Sequence, residues 1–407
     1  MTPNLQRAQD AALYVIKQLC AANHKAYLAG GCVRDRLLGK TPKDYDVATD
    51  ATPDRVNALF PRSRKVGAKF GVMLVRKFGQ DIEVATFRSD GTYSDGRRPD
   101  DIHFADEESD ARRRDFTING MFFDPVEERV IDYVGGQDDL EAGIIRTIGS
   151  PRQRFEEDHL RMLRAVRFAA RLGFTVHPDT ASAITRSAHR LPSISPERVW
   201  MELEMLLADA SRGRGWSLLT ETGLQRHLCE AWPAESDDRL VENRLAALPD
   251  SVTCVPVALA ATLRAYELGT IKSICRGLRL SNQDSSATTW LVRSLGHVST
   301  NTEMALADLK LLMAHPAWSG LLMLFRADLT ARQAPLRPYE TLFARAAAIT
   351  PSRVDPDPLL TGDDLAAMGM QPGPKLGTVL ESLRRAQLNE QIETRKDAED
   401  MARKMMK

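Results

Sequence analysis

The chain has 407 residues, 43% apolar and 27% charged, a composition that excludes collagenous, low-complexity and disordered classes. Its length suits roughly two to four domains. Lysine plus arginine and aspartate plus glutamate balance at 55 each, so a nucleic-acid partner would have to be met by basic residues gathered locally.

Five cysteines without a CxxC pair fit free thiols in a reducing compartment. No signal peptide is visible and no apolar run reaches the length of a membrane span, so the expectation is a soluble, cytoplasmic protein without a membrane partner. Residues 7–22 carry Ala11, Tyr14, Val15 and Leu19 at helical spacing. AYLA, 26–29, reads as a strand running into Gly30-Gly31, followed by a helix from about Val33 to Leu38 and a strand over Asp44–Ala48. Val72–Phe78 and Ile82–Phe87 flank Gly79-Gln80 as a hairpin, and polar Ser89–Asp110 reads as a mobile loop.

From about Arg152 the pattern turns helical. FEEDHLRMLRAVRFAARLGF reads as one long helix ending at Gly173, with further helices over 179–190 and 196–207. Breaks fall near 233–237, 249–256, 350–358 and 371–374. The expected fold is α+β: a mixed-sheet part over 1–148, then all-α parts over 149–212, 213–350 and 351–407.

The densest chemistry lies in GGCVRDRLLGKTPKDYDVATD, residues 30–50. On a strand, Asp44 and Asp46 point to one face, and two adjacent carboxylates repel unless a cation lies between them. Hard oxygen donors favour Mg²⁺. Gly30 and Gly31 allow close backbone approach, and amides at the following helix start, with Arg34, suit a triphosphate. Glu83, in the neighbouring strand, is either a third metal ligand or a solvated strand residue. A two-metal site would serve a hydroxyl attack on a phosphate. Alone, DxD could also be a charged strand end.

In RRDFTIN, Arg113 and Arg114 suit phosphates while Asp115 and Asn119 suit ribose hydroxyls; the other reading is a basic turn. In EDHLR, Glu157 precedes Asp158 and Arg161, which share a face on a helix. A carboxylate accepting from an exocyclic amine beside a guanidinium donating to a ring nitrogen admits cytosine and adenine, and leaves uracil and guanine with unpaired polar groups. The plainer reading is a surface salt bridge. Arg161, Arg164, Arg167 and Arg171 form a basic stripe interleaved with apolar residues, either meeting phosphate or simply solvated.

Five ordered segments carry a family resemblance: GGCVRDRLLGKTPKDYDVAT, RRDFTIN, DYVGGQDDLEAGIIRTIG with Asp132, Gly135, Gly136 and Asp139, EEDHLRMLRAVRFAARLGF, and ISPERVWMELEMLL. Together they resemble the class II tRNA nucleotidyltransferase and bacterial poly(A) polymerase family of the polymerase β superfamily. The resemblance implies a polymerase-β-like nucleotidyltransferase head at 1–148, a base-reading neck at 149–212, a body at 213–350 and a tRNA-binding tail at 351–407. It implies Mg²⁺ on Asp44 and Asp46 of the catalytic motif; with Glu83 of the neighbouring strand as the third metal ligand read above, these would be the catalytic residues. Nucleotide would be held by Gly30, Gly31, Arg34, Arg113, Arg114, Asp115, Asn119, Glu157, Asp158, Arg161 and Arg164, and tRNA by Arg167 and Arg171. The implied reaction is untemplated addition of CCA, from CTP and ATP, to the tRNA 3′ end.

VGAKFG, 66–71, resembles the tRNA-repair branch, and SDGTYSDGRRPDDIHF, 89–104, resembles the flexible loop of enzymes that add the terminal A. An enzyme adding only that A, a poly(A) polymerase and a non-catalytic RNA-binding protein are the alternatives. The sequence is nearly silent on 213–350, where His227, His297 and His315 lack metal-ligand spacing and read as structural or surface residues, and it fixes no oligomeric state.

Overall fold

The structure is a computed structural model that describes residues 3–66, 71–91, 102–233 and 237–406. It contains two compact units: Met1–Leu206 with Arg214–Ala234, and Leu207–Gly213 with Glu235–Lys407.

The first unit begins with α1 (Pro3–Ala21), β1 (Ala26–Ala29), α2 (Gly31–Leu37), β2 (Asp46–Thr49), α3 (Pro53–Leu59), β3 (Arg64–Lys65), β4 (Val72–Lys77) and β5 (Gln80–Thr86). Then come β6 (Arg88–Asp90), β7 (Ile102–Phe104), α4 (Glu107–Arg112), β8 (Phe122–Asp124), β9 (Arg129–Ile131), α5 (Gly136–Glu141) and β10 (Ile144–Ile145). The helical end comprises α6 (Pro151–Glu157), α7 (Leu160–Leu172), β11 (Thr175–Val176), α8 (Pro178–Ser187), α9 (Pro196–Leu207) and α10 (Arg212–Glu221).

Seven strands form one mixed sheet in the order β3-β4-β5-β2-β1-β8-β9. The two neighbours of β1, β2 and β8, set the geometry. Ala29 pairs with Asp46 of antiparallel β2 and with Phe122 of antiparallel β8, so the β1 end, the β2 start and the turn at Gly30 meet at one edge. β2 runs parallel to β5 with Val47 opposite Val84, which places Asp46 beside Glu83 along the sheet. One face is sealed by Tyr27, Ala29, Ala48, Phe87 and Phe122, with the Phe87 and Phe122 rings edge-on at 5.7 Å. On α1, Ala11, Val15 and Leu19 are wholly buried as the spacing predicts, together with Ala12 and Ile16, while Tyr14 is half-buried. Burial of each large side chain contributes about 1.5–3 kcal/mol.

Several boundaries differ from the sequence reading. The strand expected over Asp44–Ala48 starts at Asp46, and α2 starts at Gly31 rather than Val33. Ser89–Asp110 is not loop throughout: β6 pairs with β7 and α4 begins at Glu107, while 92–101 lie outside the described residues. The VGAKFG segment also falls there, apart from its end residues Val66 and Gly71.

The largest departure is in FEEDHLRMLRAVRFAARLGF. Its helix breaks at Asp158, which is extended (φ −148°, ψ 103°) and separates α6 from α7. The Asp158 carboxylate accepts from the Leu160 amide at 3.1 Å, competing with helical continuation in the way aspartate does at helix starts. Gly173 ends α7 in the left-handed region (φ 76°), as the glycine signal predicts.

The second unit is helical: α11 (Asp238–Ala246), α12 (Val255–Leu263), α13 (Leu268–Gly277), α14 (Asn282–Thr300), α15 (Leu306–Met313), α16 (Trp318–Ala331), α17 (Arg337–Ala347), α18 (Pro351–Val354), α19 (Gly362–Ala367), α20 (Pro374–Leu388) and α21 (Arg395–Met406). Apolar α12 is buried over Pro256–Leu263. A Cβ on Gly320 of α16 would come within 2.7 Å of Val257, so glycine there permits the close crossing of the two helices.

Candidate active site

A cavity of about 530 Å³ opens at the sheet edge where β1 ends and β2 begins. Gly30, Gly31 and Arg34 line it from the β1–α2 turn, Asp44 and Asp46 from the start of β2, and Arg113, Arg114, Asp115 and Asn119 from the segment after α4. Asp158, Arg161, Arg164, Arg167 and Arg171 complete it. Fourteen of the sixteen residues singled out from sequence thus line one cavity; Glu83 and Glu157 do not.

Gly30 adopts φ 70°, a conformation that favours glycine, and a Cβ there would press on the Arg114 guanidinium at 3.0 Å. Asp44 precedes the strand, yet alternation survives: Tyr45 is buried while Asp44 and Asp46 are both exposed toward the opening. The Asp46 carboxyl is pushed up to about 6, first by desolvation among the surrounding walls and then by the charges of Asp44 and Glu83, against which Arg114 acts. Solvent reaches this side chain, and the like charges of Asp44 and Glu83 crowd it.

A carboxylate pair short of compensating charge is a donor set suited to a hard divalent cation. Among the described residues, no group of three or more His, Cys, Asp or Glu side chains is placed to hold a metal, so Glu83 is not gathered with Asp44 and Asp46 into a three-ligand cluster. Glu83 remains exposed on β5.

The opposite wall is a lattice of paired charges. Asp115 accepts from the Phe116 amide (2.8 Å) and Asn119 Nδ2 (3.1 Å) on one oxygen, and from Arg164 Nε and Nη2 (2.9 and 2.8 Å) on the other. These four donors fill its ordinary acceptor capacity. Although burial acts to raise it, Arg164 outweighs that effect and holds the carboxyl down at about 2. Arg34 donates to Asp35 and, through Nη1, to Asn119 Oδ1 at 2.7 Å. Arg113 and Arg114 both grip Asp110, whose side chain is 1% exposed.

Across the helix break, Glu157 accepts from Arg154 and Arg161, each at 2.6 Å, while Asp158 accepts from Arg198 at 2.8 Å. The expected sharing of one helix face by Asp158 and Arg161 is therefore corrected. They meet at the cavity across a helix start, each anchored to a different partner. The basic stripe is not an outer face either: Arg161 and Arg167 are buried, and Arg167 donates to Glu202 at 2.6 Å. Phe168 sits beside three guanidinium groups, with Arg167 4.4 Å from its ring centre.

The residues that organise this wall, Asp110, Arg154, Arg198 and Glu202, were not singled out from sequence. One signal was present for Glu202: it lies in the register of buried Val199, Leu203 and Leu206 on α9, where a carboxylate calls for a cationic partner. Asp139, named in the DYVGGQDD segment of the sequence, is likewise a buried carboxylate met by partners. It accepts from Thr117 Oγ1 at 2.7 Å and from Arg146, while a Cβ on Gly136 would lie 2.3 Å from the Thr117 carbonyl, which ties the DYVGGQDD segment to RRDFTIN.

Eight cationic side chains line the cavity against five carboxylates, an excess that favours a polyanion. Carboxylates at one end and a guanidinium-rich wall at the other suit a cation-bound triphosphate with a base lying toward α7.

Comparison with known proteins agrees with this chemistry. The family model "Poly A polymerase head domain" matches residues 26–146, and "Probable RNA and SrmB-binding site of polymerase A" matches 173–234. The CCA-adding enzyme of Geobacillus thermodenitrificans is 36% identical over 406 residues, covering 98% of this chain and 96% of the relative. The crystal structure of the Bacillus stearothermophilus CCA-adding enzyme in complex with CTP superposes with a TM-score of 0.80 at 31% identity, covering 99% of this chain and 98% of that one. The Thermotoga maritima CCA-adding enzyme complexed with tRNA is 22% identical at a TM-score of 0.67, covering 100% and 96%, a likeness of fold.

Proposed function

The chain belongs to the CCA-adding enzyme family, and from that premise we propose that it adds CCA, from CTP and ATP, to the 3′ end of tRNA without a nucleic-acid template. The observation that carries this reading is the single cavity joining the Asp44–Asp46 pair to the arginine wall of α7. The Bacillus stearothermophilus neighbour holds CTP and the Thermotoga maritima neighbour holds tRNA, which supports the same substrates here. No helix among the described residues is long and apolar enough to cross a membrane, and a tRNA substrate fits a cytoplasmic enzyme.

In this reading Asp44 and Asp46 hold Mg²⁺, while Glu83, on the neighbouring strand and not gathered with them, adds negative charge near the ion rather than a third donor. The ion, when bound, supplies Lewis-acid activation of the tRNA 3′-hydroxyl and stabilises the departing pyrophosphate. Arg34, Arg113 and Arg114 orient the triphosphate. Asn119 and Asp115 address the ribose; a hydroxyl reaching Asp115 has to displace one of its four donors. Asp158 and Arg161, each pinned by other partners, present an acceptor and a donor suited to C and A. Glu157 holds Arg161 in place, while Arg164, Arg167 and Arg171 complete the basic wall toward the RNA. Catalysis then rests on positioning and charge stabilisation. The four-part division into head, neck, body and tail is part of this reading.

Three tRNA transcripts, ending before CCA, after C and after CC, incubated with Mg²⁺ and all four nucleoside triphosphates, test it. Completion of CCA on each is expected. Extension of the CC-ended transcript alone, by one A, would reduce the activity to terminal A addition; long A tails would make it a poly(A) polymerase, and no extension would leave a non-catalytic RNA binder.

A further inference from the structure

Six of the seven arginines that line the nucleotide cavity are tied to carboxylates of the chain: Arg34 to Asp35, Arg113 and Arg114 to Asp110, Arg161 to Glu157, Arg164 to Asp115 and Arg167 to Glu202. Arg171, in the last turn of α7, has no such partner among the described residues. It lies ten residues beyond Arg161 on the same helix, about 15 Å along the axis, so a base read at Arg161 does not reach it.

The wall beside Arg171 is apolar. Helix α9 runs alongside α7 in the same direction: Arg198 meets Asp158, Glu202 meets Arg164 and Arg167, and Met205 joins Phe168 and Arg171 in lining the cavity. Phe168 is buried beneath guanidinium groups, whereas Met205 is 43% exposed, a large apolar side chain open to solvent in a cavity otherwise walled by charge. One turn earlier, Met201 is 58% exposed. Neither belongs to the core side of the helix. Val199, Leu203 and Leu206 form that side, and helical periodicity puts the two methionines on the opposite one. The exposed acid next to Met205, Glu204, does not line the cavity.

An uncompensated guanidinium next to an exposed apolar step matches the two parts of one nucleotide, the phosphate and the face of the base. The thioether is suited to the second part. It is flexible and polarisable, packs on aromatic rings, and offers only a weak acceptor, so it holds a ring without selecting its edge. A growing 3′ end needs this tolerance, because the base at a fixed distance behind the attacking hydroxyl changes with every addition. Edge reading at Asp158 and Arg161 serves the incoming nucleotide, at the other end of α7.

We propose that Met205, extended outward by Met201, is a stacking platform for a base of the single-stranded tRNA 3′ end, with Arg171 on the accompanying phosphate. The inference rests on the reading that tRNA is the substrate. It makes Met205 a positioning residue for the strand being extended, and it leaves the choice of the incoming base elsewhere.

Met205→Ala removes an outward-facing side chain, and its melting temperature should match wild type. With tRNA ending in CC, KM for tRNA should rise about fivefold, and about tenfold in Met201→Ala/Met205→Ala, with the loss falling on KM for tRNA rather than on kcat. KM for ATP and the choice among the four triphosphates should not move. Met205→Leu should keep most of the tRNA affinity. The log–log salt slope of tRNA binding should be unchanged in Met205→Ala and shallower by about one in Arg171→Ala. Transcripts carrying an abasic site at one of the last three positions locate the stacked base: at one position, wild type and Met205→Ala should bind equally.

An unchanged KM for tRNA would overturn the proposal. A rise in KM for ATP and CTP instead would give the platform to the incoming base, and the same penalty on every abasic transcript would show that the methionine acts through the shape of the protein; either result overturns it. So does a lowered melting temperature that Met205→Leu restores without any tRNA effect. A wild-type chain that neither binds nor extends tRNA overturns both this inference and the reading beneath it, whereas a wild type that extends tRNA beside an unaffected variant overturns this inference alone.

Discussion

At the sheet edge, Asp44, Asp46 and Glu83 crowd negative charge that Arg114 opposes without offsetting, and the Asp46 carboxyl rises to about 6, first through desolvation. On the α7 side, Asp115, Glu157 and Glu202 are each met by arginine, and Asp115 falls to about 2. Both sets line or adjoin one cavity, so location alone does not set their state. The first set lacks charge that a metal can supply on binding; the second is compensated within the chain and holds its shape before any ligand arrives. Substitutions should therefore affect function at one end and folding stability at the other.

The largest functional effect is expected at the uncompensated end. Asp46→Asn should lower nucleotide addition by roughly 10²–10³-fold or more, while the melting temperature is kept or slightly raised because a repulsive charge is gone. Primer extension beside thermal melting checks this, and substantial residual activity would remove Asp46 from the catalytic set. At the other end, Glu202→Ala leaves Arg164 and Arg167 without their shared buried partner. It should cost about 3 kcal/mol in chemical denaturation; a loss below 1 kcal/mol would mean that the arginines relax into solvent.

Asp115 sharpens the contrast through pH. Its folded pKa lies below its unfolded value, so its stabilisation of about 2 kcal/mol is complete above pH ~4 and lost as pH falls through about 2. Asp115→Asn should remove that contribution at neutral pH and flatten the acid limb of a stability profile. An acid limb identical to wild type would contradict the assignment. The smallest effect on turnover is expected for Arg161→Ala, which should relax the choice of C and A over U and G in competition among the four triphosphates. Unchanged base choice would reject the pairing of Asp158 and Arg161 on the incoming base.

Much of the catalytic edge was legible. The GG turn, the two aspartates and RRDFTIN needed only local rules, because strand alternation and glycine's access to positive φ act over one or two residues. The helix break at Asp158 was less accessible: apolar periodicity runs through EEDHLRMLR, and only the aspartate's local capping of Leu160 with its pull toward Arg198 decides against continuation. An unpaired arginine and a paired one look alike in a sequence.

By itself the sequence determined the mixed-sheet start and helical remainder, the glycine at the β1–α2 turn and the same-side presentation of Asp44 and Asp46. Each follows from backbone sterics and short-range periodicity. Only the tertiary structure decided which charges are compensated: Asp115 meets Arg164 across 49 positions, Glu202 meets Arg167 across 35, and Arg171 meets no carboxylate among the described residues. Charge pairing depends on distances of a few ångströms between elements remote in sequence, and it is the folded packing that sets those distances.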